Sequence, residues 1–86
     1  MSVATAALTE AIERRGVADY RGALAAARRA ARSASGGEPQ LAVATLVALV
    51  RAEEDLGHYN LASSAGSRAV EAAGDDRGLR TRALIA

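Results

Sequence analysis

The sequence predicts an all-α fold, antiparallel helical hairpins stacked as a short array of five helices, and three observations carry that expectation. Half of the 86 residues are apolar, and Ala, Leu and Arg, all strong helix formers, fill the long uninterrupted stretches. Clusters of Gly, Pro, Asp and Ser at residues 16–19, 35–39, 57–59 and 74–76 divide those stretches into five segments. Two segments also match each other without a gap: Tyr20 falls on Tyr59, Ala23 on Ala62, Ala30 on Ala69 and Ala31 on Val70, an offset of 39 residues. A chain of this length makes one domain, residues 1–86. It divides into a first hairpin at about 3–35, a linker at 36–39, a second hairpin at about 40–74 and a final helix at about 76–86.

The first segment, about Val3 to Arg15, places Ala4, Leu8, Ala11 and Ile12 on one face and turns Thr9, Glu10 and Glu13 away from it. Asp19 is the expected cap of the second, whose apolar stripe runs through Tyr20, Ala23, Leu24, Ala27, Ala30 and Ala31. Pro39 suits the first turn of the third, which is apolar nearly all round through Leu41, Val43, Leu46, Val47, Leu49 and Val50 and is expected to be the most buried. The fourth, about Tyr59 to Ala73, carries Tyr59, Ala62, Ala65, Ala69 and Val70. The fifth starts after Asp75 and reaches Ala86 without a Gly, Asn or Pro stop signal. Upstream of the matched segments, Leu8, Ala11 and Ile12 align with Leu46, Leu49 and Val50 if the first turn is one residue shorter than the second.

The stretches "DYRGAL…AA" and "LGHYNLA…AV" resemble the tetratricopeptide repeat family, in which a small or acidic residue precedes Tyr at the turn and small residues follow at these spacings. The resemblance covers about Leu8 to Ala73. The first helices lack Trp, no Pro follows the second helix of the first unit before Pro39, and the period is 39 where about 34 is usual. The extra residues fall in "SASGGEPQ", a loop where insertion is cheap. The texture is also similar to the helical-repeat regions of large bacterial signalling and transcription regulators. The resemblance implies an inner surface lined by the first helix of each pair. Candidates to line a partner-binding groove are then Glu13 from the first helix, Arg51, Glu54 and Asp55 from the third and Arg82 from the fifth.

Composition excludes several chemistries. All 11 basic residues are Arg, 10 residues are acidic and the net charge is +1, which argues against a bulk polyanion binder. With no cysteine there is neither a disulfide framework nor a thiolate site. The N-terminus lacks the pattern of a secretory signal, and the longest apolar run, Leu41 to Val50, is far below the roughly 20 residues that span a bilayer. The expected setting is the cytoplasm. No cofactor, metal, membrane or small-molecule substrate is expected.

Each sharper feature has a structural explanation. His58 has Glu54 and Asp55 within four residues, but no second His or any Cys exists, and it aligns with Asp19, so it is expected at a helix cap that an aspartate would fill at least as well. Tyr20 and Tyr59 are expected to pack between helices with their hydroxyls at the wet end. "GGEP" has no GK[ST] ending and reads as a linker, while Ser63, Ser64 and Ser67 have no base beside them. Arg21, Arg28, Arg29 and Arg32 stripe the second helix and are read as a solvated, partly paired face, the alternative being contact with nucleic-acid phosphate. The expected function is therefore non-enzymatic: a module for binding a protein or peptide partner, or for dimerisation. Two hairpins and one extra helix leave a flank uncovered, so a homodimer is expected with Leu79, Leu84 or Ile85 at its contact.

Overall fold

A computed structural model describes residues 2–85 as five helices with no strand among them; Ala86, the expected end of the last helix, lies outside the described residues. The elements are α1 (Val3–Gly16), α2 (Tyr20–Ala34), α3 (Pro39–Asp55), α4 (Tyr59–Ala73) and α5 (Arg77–Leu84). Each expected break is a helix boundary, for a visible reason. The Ser2 side chain accepts from Thr5 N at 3.1 Å, Asp19 from Gly22 N at 3.0 Å and Asp76 from Leu79 N at 3.0 Å, so three helices open on side-chain caps. Pro39 occupies the first turn of α3, where its missing N–H is of no consequence.

Neighbouring helices pack in sequence order, and α3 lies at the centre, touching the other four. The core is alanine-rich. Ala23, Ala26, Ala27, Ala30 and Ala31 of α2 are buried, as are Val43, Leu46, Leu49 and Val50 of α3 and Ala62, Ala65, Ala69 and Ala73 of α4. Alanine removes little apolar area per residue, so such a core depends on backbones approaching closely. The buried hydroxyl of Thr45 donates to Ala42 O at 2.9 Å, which lets a polar residue occupy the centre of α3.

The two hairpins repeat at 39 residues throughout, turns included. Val17 N and Asp19 N both donate to Arg14 O, at 3.2 and 2.8 Å, and 39 residues on Leu56 N and His58 N both donate to Glu53 O, at 3.3 and 2.8 Å. The turns are thus equal in length. The burial pattern agrees, since Ala4, Ala7 and Ala11 correspond to Val43, Leu46 and Val50, and Ala23, Ala26, Ala30 and Ala34 to Ala62, Ala65, Ala69 and Ala73. This corrects the expected pairing of Leu8, Ala11 and Ile12 with Leu46, Leu49 and Val50. Of the face expected for α1, Ala4 and Ala11 are buried, joined by Ala7, while Leu8 is half-buried and Ile12 is 62% exposed.

Candidate functional site

Helices α1, α3 and α5 together form a cleft of about 600 Å³. Two of its walls carry the same spacing, Leu8, Ala11, Ile12 and Arg15 on α1 and Ala44, Val47, Ala48 and Arg51 on α3, each an i, i+3, i+4, i+7 stripe ending in arginine. Tyr20 lines it from the start of α2, and Arg82 and Ile85 from the end of the chain described. Among the described residues no acidic side chain lines it. Arg15 reaches Asp55 across the gap between α1 and α3, Nε to Oδ2 at 2.7 Å, which brings the last turns of the two helices together. That hydrogen bond, with the charge of Asp55, holds the Arg15 guanidinium above its ordinary pKa. Arg51 and Arg82 have no ion pair among the described residues.

A second cleft of about 420 Å³ lies between α3, α4 and α5, with Val50, Glu54, Ala62, Ser63, Gly66, Ser67 and Val70 in its walls and Tyr59 and Leu84 beside them. Among the described residues, five of the eight large apolar side chains left exposed, Ile12, Tyr20, Tyr59, Leu84 and Ile85, line one cleft or the other. Exposed apolar surface gathered in this way marks interaction sites more often than exposed residues scattered singly do.

The expected groove residues are divided between these features. Arg51 and Arg82 line the first cleft, Asp55 is engaged with Arg15 at its edge, Glu54 lines the second cleft, and Glu13 is exposed and lines neither. The first cleft thus has an apolar floor and a rim of arginines. The sequence reading missed Leu8, Ile12, Val47 and Arg15 as lining residues because it assigned Leu8 and Ile12 to the core. The shared i, i+3, i+4, i+7 spacing was the signal available. Of the expected dimer contacts, Leu79 is 8% exposed and packs in the chain's own core, whereas Leu84 is 69% and Ile85 76% exposed.

Tyr59 is 71% exposed and Tyr20 is a cleft wall, so neither is buried between helices as expected. His58 does stand at the start of α4, but its ring makes no capping bond; Nδ1 lies 2.8 Å from Oε2 of Glu53, which is 3% exposed. The partner is thus Glu53 and neither Glu54 nor Asp55. Glu53 Oε1 also accepts from Arg28 Nη2 at 3.4 Å, and Arg29 Nη2 reaches Glu10 Oε2 at 2.6 Å. Two of the four arginines considered for phosphate contact are therefore committed to carboxylates, while Arg21 and Arg32 are exposed without an ion pair among the described residues.

Among the described residues no group of three or more His, Asp or Glu is placed to hold a metal ion, and no helix is long and apolar enough to cross a membrane. No protein-family model, curated protein sequence or solved structure matches the chain.

Proposed function

We propose that this chain is a non-enzymatic protein-interaction module, built of tetratricopeptide-like hairpins, whose α1–α3–α5 cleft takes an apolar stretch of a partner protein flanked by acidic residues. The observation that carries the reading is the cleft itself. Its floor is aliphatic, its three charged lining residues are all arginines, and two of them lack an internal counterion among the described residues. An apolar surface with a few placed charges is the composition of a specific recognition site, the floor supplying affinity and the rim supplying register. The position of the cleft on the first helix of each pair agrees with the surface that the family resemblance implies.

A random-peptide library panned against the immobilised chain tests this. Enriched peptides should pair aliphatic residues with Asp or Glu, and their affinity should fall at least about tenfold with Arg51→Glu plus Arg82→Glu, as loss of close charge partners does. Enrichment of basic peptides, or binding indifferent to both substitutions and to Ile12→Glu, would overturn it.

A further inference from the structure

The first cleft selects the backbone conformation of what enters it as well as its charge. Among the described residues its lining is aliphatic apart from Gly16, Tyr20 and the arginines, and the Tyr20 hydroxyl is the one side-chain group there able to accept a hydrogen bond. The backbone of the two stripes cannot help, since its carbonyls are spent in the hydrogen bonds of α1 and α3 and in the bond from Ala18 N to Arg15 O. With no strand among the described residues, the cleft has no sheet edge to pair with either. An extended peptide pressed onto this floor would lose water from backbone N–H groups that then find no acceptor. A helix satisfies its own backbone, and only its side chains need to match the floor.

The walls have the form that a helix requires. Arg15 joins Asp55 across the last turns of α1 and α3, so the two stripes run side by side in one direction with a groove between them, and helices pack by seating their ridges in such grooves. Helix α5 continues the pattern. Counted from the N-cap residues Glu38 and Asp76, Arg82 and Ile85 of α5 hold the positions that Ala44 and Val47 hold in α3, the turn before α5 being one residue shorter than the turn before α3. Arg82 therefore stands level with the start of the α3 stripe, and Arg51 is its last member, at i+7. A rise of about 1.5 Å per residue then places these two arginines about 10 Å apart along the cleft, two turns of helix. Both are without an ion pair among the described residues.

Given the cleft as a protein-interaction site, as proposed above, we infer that the partner segment is an amphipathic α-helix whose apolar stripe lies along the α1–α3 groove and whose two acidic residues, at i and i+7, meet Arg51 and Arg82. On a helix the residues at i, i+3, i+4 and i+7 share one face, so apolar side chains at the two middle positions reach the floor while both acids reach the rim. In an extended chain a span of about 10 Å corresponds to residues about three apart, which point to opposite faces. One of the two arginines would then be left unmatched.

Synthetic peptides test this. The first carries Glu at i and i+7, Leu at i+3 and i+4, and Ala or Gln elsewhere. A second differs only by Pro at i+5, a position that faces away from the floor but breaks the helix, and a third exchanges the second Glu for the residue at i+5, keeping the composition. Fluorescence anisotropy should show the first peptide binding at least about tenfold more tightly than either of the others, and Arg51→Glu plus Arg82→Glu should weaken it by a similar factor. Bound to the chain, the first peptide labelled with carbon-13 should show the Cα chemical shifts of a helix. If acid-and-aliphatic peptides bind through the arginines but show extended shifts, or if the proline peptide binds as tightly as the first, the helical partner is overturned while the interaction site stands. If no acid-and-aliphatic peptide binds, or if light scattering shows a dimer that Ile12→Glu disperses, so that a second copy fills the cleft, both are overturned.

Discussion

At the scale of single residues, two positions in the turns behave unlike their counterparts. Ala18 has φ of 61°, a left-handed conformation that disfavours any side chain, and the equivalent Gly57 has φ of 77° without that penalty. Ala18→Gly relieves the strain but loosens the unfolded chain, so the net gain should be about 0.5–1 kcal/mol in urea denaturation; a loss would show the strain to be compensated elsewhere. His58 is the other case. Because Glu53 is buried and held by the imidazole and Arg28, His58→Asp would place a second carboxylate beside it. Partial capping of α4 offsets this only in part, and the substitution should destabilise by about 1–2 kcal/mol. The direction is the reverse of what alignment with Asp19 suggests, since a cap and an anchor for a buried acid are different tasks.

Among elements, the small residues that alternate along α2 and α4 decide how near the helices come. Ala23 and its counterpart Ala62 are both buried and each faces the first helix of its own hairpin. Ala23→Leu and Ala62→Leu should therefore each destabilise by about 1–3 kcal/mol through overpacking. Thermal melts of the two variants check this, and the comparison carries more than either value. Ala23 is 1% exposed and lines no cleft among those described, whereas α4 has the open cleft beside Ala62 into which a leucine can shift, so the second substitution should cost less. Equal losses would mean that the cleft is not free to accommodate side chains in solution.

For the whole molecule, ion pairs between elements hold together what an alanine core joins weakly, and their pH dependence has a definite sign. The hydrogen bond from Arg29 is the main cause holding Glu10 below the ordinary carboxylate value of 4.5, and the hydrogen bond from Arg14, then the Gly22 N–H, does the same for Asp19 against 3.8. A carboxylate with a depressed folded-state pKa contributes stability that is present above its unfolded value and lost as pH falls through the folded one. Urea midpoints should thus be flat near neutrality and fall as the pH drops below about 4.5, and Arg29→Ala with Arg14→Ala should flatten that fall. Both acids are on the surface, so the effect should shrink in high salt. An acid limb unchanged by the two substitutions would assign the loss to other carboxylates.

Helix number and boundaries, with the Asp19 cap, were legible in the sequence because they are set locally, by propensity, by the conformations open to Gly and Pro, and by a capping side chain within three residues of the N–H it receives, whereas the cap expected at His58 did not form. The 39-residue repeat was legible for the same reason, being a pattern of small residues along single helices. What α1 buries was not, because Leu8 and Ala11 lie on neighbouring sides of one helix and the choice between them depends on how closely α2 approaches. An alanine partner brings it near enough to favour alanine, and that pushes Leu8 and Ile12 out to wall a cleft. The pairings of Arg15 with Asp55 and of Arg28 with Glu53 join residues 40 and 25 apart in the chain, and only the stacking of three helices brings them together.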